Sequence, residues 1–335
     1  MKKFINEPKN FVDEMMEGIL AAHPKQLTSL NEDIRCIVTT EAPVKEKVGI
    51  VTGGGSGHLP LFLGYVGKGL LDGCAVGGVF QSPSSDQILE ITKRVNSGAG
   101  VLYIYGNYGG DIMNFDMAKD LAELEGIEVE QVIGKDDVTS APKGEEYNRR
   151  GVAGLFFVYK CAGAMADKLA PLAEVKRIAE KAETNTRTMG VALSPNIVPE
   201  IGNFQFTIGD DEMEIGMGIH GEPGIRRGQI KPADSIVTEM VGHILEDMPL
   251  NSDDSVAVLV NSLGATPKEE LYILYRKVHA ILVEKGIEIF HVYIGEYATS
   301  LEMAGASISL LKLDEELKAL ISEPATTPFF EQVRL

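Results

Sequence analysis

Two histidines and one aspartate lie in glycine-rich segments of this chain that we expect to form loops, where packing alone does not require a titratable side chain. His58 ends the segment GGGSGH, Asp111 ends GNYGGD, and His220 lies within IGMGIHGEPG. Glycine permits positive φ angles and lets the backbone approach a small ligand, while imidazole and carboxylate groups transfer protons. We therefore take the three residues as candidates for one shared site, with Ser56 as a further polar group. The alternative for GGGSGH is a turn that only closes a strand.

The spacing of these residues argues against several familiar kinds of site. GGGSGH has no Lys followed by Ser or Thr, as a P-loop requires, and its glycines do not fit GxGxxG, so no nucleotide or other cofactor site is predicted. No two candidate ligands lie within one helix turn or a short hairpin, so no metal site is predicted either. Ser56, His58 and Asp111 have the composition of a hydrolase triad, but the GxSxG elbow of such enzymes is missing.

Composition limits the class of protein. The chain has 335 residues and a formal net charge of -18. This length predicts two domains, and the negative charge argues against direct binding to nucleic acid. The three cysteines are widely spaced, as is typical of free thiols in a reducing compartment. Since we find neither a signal-peptide pattern nor a long apolar stretch, we expect a cytoplasmic protein without a membrane span.

Hydrophobic periodicity in the first half predicts alternating helices and strands. A helix is expected at 11–22, and a buried strand at 48–52 leads into GGGSGH, which is expected to form a loop. Further helices and strands are expected alternately at 87–95, 100–105, 113–125 and 129–133. The polar stretch 135–150 is expected to be a surface loop. Such alternation predicts parallel strand pairs, with ligands at the carboxyl ends of the strands.

The second half continues in the same way. A polar connector at 183–187 predicts a boundary between an N-terminal domain, 1–184, and a C-terminal domain, 185–335. The elements expected beyond it are strand 189–194, helix 231–245, strand 255–261, helix 268–285, strand 288–294 and strand 307–312. The predicted fold class is α/β, with two domains that each contain a mixed β-sheet flanked by helices.

Six segments, in order along the chain, resemble those of the dihydroxyacetone kinase K-subunit (DhaK) family. They are GGGSGH, SPSSDQI, NYGGD, RRGVAG, MGIHGEPGI and NSLGATP. The resemblance implies a homodimer of two-domain α/β chains that holds dihydroxyacetone as a covalent hemiaminal on a histidine. His220 occupies that position here. In the family's kinases a separate subunit holds the nucleotide, in agreement with the lack of a phosphate-binding motif in this sequence.

The same resemblance implies the other site residues. The residues that match the family's ligand loop are Gly55, Ser56, Gly57 and His58. Asp111 matches the carboxylate beside the substrate hydroxyl, so the implied catalytic residues are His220, His58 and Asp111. A neutral imidazole can add to a small ketone, and neighbouring donors and bases can stabilise or protonate the alkoxide that forms.

Several positions depart from the family pattern. The kinases usually read KNYxGD, with the Lys contacting substrate, whereas this chain has Gly106 in the place of the Lys. Leu59 replaces the carboxylate of GSGHEP, and GEVFTSPTPDQ becomes GGVFQSPSSDQ, with Gly78 and Gln81 substituted. The connector 135–148 also differs from that of the kinases, which puts docking to a nucleotide-binding subunit in question. Loss of a cation near the transferred phosphoryl group should reduce turnover more than ligand capture.

Two functions are compatible with this pattern. The first, which the departures favour, is a ligand-responsive regulator like the DhaQ-type coactivator of the same family. Its bound dihydroxyacetone would let it engage a TetR-like DNA-binding partner and activate a kinase operon, so it would not itself be an enzyme. The alternative is a catalytically active K subunit that works with a nucleotide-binding kinase subunit. Restoring Lys at position 106 should separate the two, because a working kinase would gain little.

Overall fold

The computed structural model describes residues 2–335 and contains two six-stranded mixed β-sheets. The strands of the first sheet are β1 (Leu27–Leu30), β2 (Asp33–Thr39), β3 (Gly49–Ser56), β4 (Gly73–Val79), β5 (Val101–Gly106) and β6 (Val129–Gly134). They lie in the order β1-β2-β4-β3-β5-β6. The pairs among β4, β3, β5 and β6 are parallel, and the pairs made by β2 are antiparallel.

The second sheet is built from the later part of the chain. Its strands are β7 (Thr186–Ala192), β8 (Glu212–Ile215), β9 (Arg226–Gln229), β10 (Ser255–Ser262), β11 (Glu288–Gly295) and β12 (Gly305–Leu313). The order is β11-β10-β12-β7-β8-β9, and only β10 and β11 run parallel within residues 2–335. A short hairpin of β13 (Ala325–Thr326) and β14 (Glu331–Gln332) follows.

Helices cover the faces of both sheets. They are α1 (Phe11–Ala22), α2 (Ser85–Val95), α3 (Gly109–Leu124), α4 (Leu155–Asp167), α5 (Leu172–Thr184), α6 (Ala233–Asp247), α7 (Lys268–Glu284) and α8 (Glu315–Ile321). The predicted α/β fold class, with two mixed sheets flanked by helices, is confirmed. Within residues 2–335, no helix has both the length and the apolar character that a membrane crossing requires.

Alternation along the strands assigns each sheet two apolar faces. In β3, Ile50 belongs to a core shared with α4 and α5, while Val51 packs on the opposite face with α2 and α3. In β10, Leu259 joins that same shared core, whereas Val258 packs toward α6 and α7. Helices α4 and α5 therefore lie between the two sheets. The boundary at residue 184 stays a prediction, since this core continues across it.

Two local predictions near the site were wrong. GGGSGH is not wholly a loop, because β3 continues to Ser56 and its glycines pair with β4. The glycines reduce strand propensity and so concealed this extension. Asp111 likewise lies in the first turn of α3, which begins at Gly109, and not in a loop. The negative charge of an acidic side chain in that turn interacts favourably with the positive end of the helix dipole. This interaction stabilises the start of the helix and offsets the poor helix propensity of the glycines.

The stretch 135–150 also differs from the expected surface loop. Asp136, Asp137 and Arg149 are all buried. The Asp136 carboxylate accepts hydrogen bonds from the backbone of Val152 and Gly154, both at 2.8 Å. Arg149 forms a bidentate pair with Asp247. Because each charge has a partner, this polar sequence is compatible with burial.

Candidate functional site

The imidazoles of His58 and His220 lie side by side, although they come from different sheets. His58 follows β3, and His220 lies between β8 and β9. Their ring centroids are 4.6 Å apart, and the rings are nearly perpendicular. Phe80 contacts both, stacked on His58 at 4.8 Å and edge-on to His220 at 5.3 Å. The structure therefore brings the two predicted histidines into contact.

His58 is held as a neutral imidazole with one defined tautomer. Its Nδ1 atom lies 2.8 Å from the carbonyl oxygen of Thr299, which can only accept, so Nδ1 carries the proton. Burial, together with the nearby charge of His220, lowers the pKa of His58 to about 3. Its Nε2 atom is buried and has no hydrogen-bond partner among residues 2–335. This Nε2 atom is thus a hydrogen-bond acceptor that the described part of the protein leaves unpaired.

His220 is oriented by Glu222, two residues further along the chain. The Nδ1 atom of His220 donates to one oxygen of the Glu222 carboxylate, and the backbone N–H of His220 donates to the other, each at 2.9 Å. Burial tends to raise the pKa of Glu222, but the hydrogen bond and charge of His220, with the charge of Arg150, lower it to about 2. A carboxylate in this position holds the proton on Nδ1, which leaves Nε2 of a neutral His220 with a free lone pair.

Asp111 supplies a third titratable group. It is 6% exposed, and its Oδ1 atom has no hydrogen-bond partner within the described part of the chain. Burial raises the pKa of Asp111 to about 6, against the opposing influence of Ser82 and His220. A carboxylate with this pKa can accept a proton near neutral pH.

The glycines of the first segment allow a second turn to approach β3. A Cβ at Gly55 would lie 2.7 Å from the backbone of Phe80, and one at Gly57 would lie 2.7 Å from the Phe80 ring. Gly57 also has a φ of +103°. Ser56 donates to the carbonyl of Gly77 at 2.8 Å and makes no bond to a histidine, which argues against the hydrolase alternative.

Gly106 lies at the carboxyl end of β5 beside Tyr108. A Cβ at Gly106 would be 3.0 Å from Cε2 of the Tyr108 ring. That ring meets His220 edge-on at 4.5 Å, and its hydroxyl donates to the carbonyl of Gly151 at 3.1 Å. The space next to Gly106 is therefore occupied by an aromatic ring that itself contacts the central histidine.

A family model described as the Dak1 domain matches residues 17–329. The chain belongs to the Dak1 family. It is 47% identical over 331 residues to a protein of Listeria innocua named as the dihydroxyacetone-binding subunit DhaK of a PTS-dependent dihydroxyacetone kinase, and the match covers 99% of both chains. This confirms the resemblance to the DhaK family.

Solved structures agree with this membership. A dihydroxyacetone kinase operon co-activator, DhaQ, superimposes with a TM-score of 0.87 at 32% identity, covering 96% of this chain and 97% of the other. The dihydroxyacetone kinase of C. freundii superimposes with a TM-score of 0.89, also at 32% identity, covering 100% of this chain and 61% of that longer one. The Dak1 chain is thus similar both to kinases and to a regulator.

Two of the departures from the family motifs lie together in the Dak1 chain. A Cβ at Gly78 would be 2.7 Å from Oε1 of Gln81, so the longer side chain at 81 fills the space left by glycine at 78. The substitutions at Gly78 and Gln81 therefore form one compensated pair. Leu59 is partly buried against the apolar core, where its side chain contributes to packing.

Four residues that shape the site of the Dak1 chain were not singled out from the sequence. They are Phe80, Tyr108, Glu222 and Thr299. Phe80, Tyr108 and Glu222 lie within or beside the quoted motifs, so the motifs marked their positions, but the residue types alone did not indicate a role. Thr299 lies 241 residues from His58, and no local pattern links the two.

Proposed function

We propose that this chain is the ketone-binding subunit of a dihydroxyacetone kinase and that it captures dihydroxyacetone as a covalent hemiaminal on His220. The observation that carries the proposal is the hydrogen bond from Nδ1 of His220 to Glu222, which leaves Nε2 as the nucleophile. The side chain of His220 is 21% exposed, so a small ligand can reach it. The 47% identity over full length to a dihydroxyacetone-binding subunit supports the same substrate.

Addition of His220 to the ketone forms one bond and moves one electron pair. The Nε2 lone pair of His220 forms a bond to the carbonyl carbon, and the carbonyl π electrons move to the oxygen. The resulting alkoxide takes up one proton, and the imidazolium loses its Nδ1 proton through Glu222 to solvent. No net charge is created. His58, as a neutral acceptor at Nε2, would receive a hydrogen bond from a hydroxyl of the ligand and hold it in place.

Phosphoryl transfer to a terminal hydroxyl of the ligand must also remove the proton of that hydroxyl. Asp111 is the candidate base, because its raised pKa, about 6, lets the carboxylate take the hydroxyl proton as the new O–P bond forms and the bond from phosphorus to the donor nucleotide breaks, which releases the nucleotide as the leaving group. We propose that a separate nucleotide-binding subunit presents the phosphoryl group and that two copies of this chain form a homodimer, as the family resemblance implies.

A second candidate function is a coactivator that responds to the same ligand through a TetR-like DNA-binding partner. It is favoured by Gly106, which lacks the cation of the family's kinases, and by similarity to the DhaQ co-activator. We place it second because the identity to the kinase subunit is 47% and that to the co-activator is 32%. His58 and His220 serve ligand capture in both functions, whereas the base role of Asp111 belongs to the kinase alone.

The test mixes this chain with a nucleotide-binding kinase subunit and its phosphoryl donor, and measures dihydroxyacetone phosphate. A known K subunit at equal concentration is the positive control. Turnover comparable to that control supports the kinase. If the positive control turns over and this chain does not, the kinase proposal is wrong and the coactivator is left.

Covalent capture is measured separately, with dihydroxyacetone labelled with ¹³C at the carbonyl carbon. Wild-type protein should convert the ketone resonance to that of a tetrahedral carbon, and His220→Ala should abolish the conversion. His279→Ala, at an exposed position on α7, is the matched control and should behave as wild type. An adduct on His220→Ala would contradict both functions.

A further inference from the structure

One segment, 297–301, between β11 and β12, contacts both histidine-bearing loops. The carbonyl of Thr299 accepts the hydrogen bond from Nδ1 of His58 at 2.8 Å. The hydroxyl of Ser300 donates to the carbonyl of Ile219, the residue before His220. The two loops are thus tied to consecutive residues of a single segment.

The hydroxyl of Ser300 both donates and accepts a hydrogen bond. The residue is completely buried, and its Oγ atom accepts from Nδ2 of Asn196 at 2.7 Å while it donates to Ile219. Its backbone N–H donates to the carbonyl of Leu263 at 2.8 Å. A buried hydroxyl with both donor and acceptor engaged is held in one rotamer and transmits its position to its partners.

The segment itself is held by the NSLGATP motif. Oδ1 of Asn261 accepts from the backbone N–H groups of Tyr297 and Ala298 at 2.8 and 2.9 Å, and its Nδ2 donates to the carbonyl of Ala298 at 2.7 Å. A Cβ at Gly264 would lie 1.8 Å from the carbonyl oxygen of Leu301, so only glycine fits. A motif remote in sequence from both histidines therefore builds the platform beneath them.

We propose that Ser300 is a positioning residue that sets the His220 loop at the distance and angle from His58 that adduct formation requires. The inference rests on the proposed capture of the ketone by His220. Without the Ser300 hydroxyl, the Ile219 carbonyl loses its donor and the Asn196 amide loses an acceptor. The His220 loop then samples other positions, while His58 keeps its bond to the Thr299 carbonyl, because that carbonyl belongs to the backbone.

The test compares Ser300→Ala with Ser194→Ala. Ser194 accepts from the backbone of Ala304 at 2.9 Å in the same region but contacts neither histidine loop through its hydroxyl. We expect Ser300→Ala to weaken the dihydroxyacetone adduct about tenfold, since one buried hydrogen bond contributes about that factor. Ser194→Ala should change it less than about twofold. In protein labelled with ¹⁵N-histidine, the His220 signals should shift while the His58 Nδ1–H signal is retained.

The outcomes separate the two proposals. If wild type forms no adduct, the proposed function fails. If wild type forms it and Ser300→Ala forms it equally well, the positioning role is wrong. Equal shifts of both histidines would also overturn it, since they would indicate general loosening. If Ser300→Ala does not fold, Asn196→Ala replaces it, and we expect this variant to bind dihydroxyacetone as the adduct about threefold more weakly than wild type. Wild-type affinity in Asn196→Ala would overturn the inference.

Discussion

Glu222 accepts hydrogen bonds from both the side chain and the backbone of His220, each at 2.9 Å. The carboxylate therefore fixes the ring, its tautomer and the loop that carries it. Glycine is needed at position 218 for this geometry, because a Cβ there would lie 2.1 Å from an oxygen of Glu222. The same carboxylate faces Arg150 at 3.9 Å.

Glu222→Gln tests this arrangement. A charge-assisted hydrogen bond is about twice as strong as a neutral one, so we expect the dihydroxyacetone adduct to weaken roughly tenfold. Because the pKa of Glu222 is about 2, its side chain stays ionised between about pH 5 and pH 8. The contribution of this carboxylate to the wild-type adduct should therefore be constant over that range. Titration with the ¹³C-labelled ketone measures the loss. Glu200→Gln, at an exposed position, is the control. If Glu222→Gln and wild type bound dihydroxyacetone with equal affinity, Glu222 would not have the role of orienting His220.

Asp111→Asn should separate ligand capture from turnover. The amide cannot accept the hydroxyl proton, so kcat should fall about 100-fold while the adduct still forms. In wild type, the active form is the carboxylate, whose pKa is raised to about 6. Turnover should therefore be full above that pH and decline as the pH falls through it. Asp120→Asn, exposed on the same helix, should show the wild-type profile. If Asp111→Asn kept the wild-type pH dependence of turnover, another residue would have to be the base.

The parts of the fold that were predicted are those with clear periodicity. The helix at 11–22 and the strands near 101 and 129 follow from apolar spacing. Strand β4, GCAVGGV, escaped because its glycines conceal an apolar pattern, and they are needed there: a Cβ at Gly77 would lie 1.8 Å from the carbonyl oxygen of Gln81. Strand propensities do not register such a close approach of the backbone to itself across the tight turn that ends β4.

The site divides in the same way. His58, Asp111 and His220 could be found because glycine-rich segments mark each of them. Thr299 and Ser300 could not, since the Thr299 carbonyl contacts His58 from the other sheet and the Ser300 hydroxyl contacts Ile219 from a different loop of its own sheet. Residue types in a sequence reveal candidate reactive groups, whereas the hydrogen bonds that orient those groups depend on how distant segments pack.

Lys47→Met should destabilise the fold. The Lys47 ammonium is buried and lies 2.6 Å from Asp72 and 3.2 Å from Asp167. Burial would lower the pKa of Lys47, but the charges of Asp72 and Asp167 raise it, so the pair is ionised. Removing the cation leaves a buried carboxylate unpaired, and the free energy of unfolding should fall by about 3 kcal/mol in a urea titration. Lys45→Met, at an exposed position, should change it by less than about 0.5 kcal/mol.

Gly106→Lys decides between the two candidate functions. A side chain at this position must displace the Tyr108 ring by a few tenths of an ångström, because its Cβ would lie 3.0 Å from that ring. Gly106→Ala carries the same steric demand without the charge and is therefore the reference. If the chain is a working kinase, its site already stabilises the transferred phosphoryl group, and turnover of the Lys variant should lie within about threefold of the Ala variant. An increase above about tenfold would mean that the missing cation had limited catalysis, and would favour the ligand-responsive coactivator. The ¹³C adduct should form in all three proteins, since capture depends on His220; loss of the adduct in both variants would instead show that the Tyr108 ring must stay in place for His220 to react.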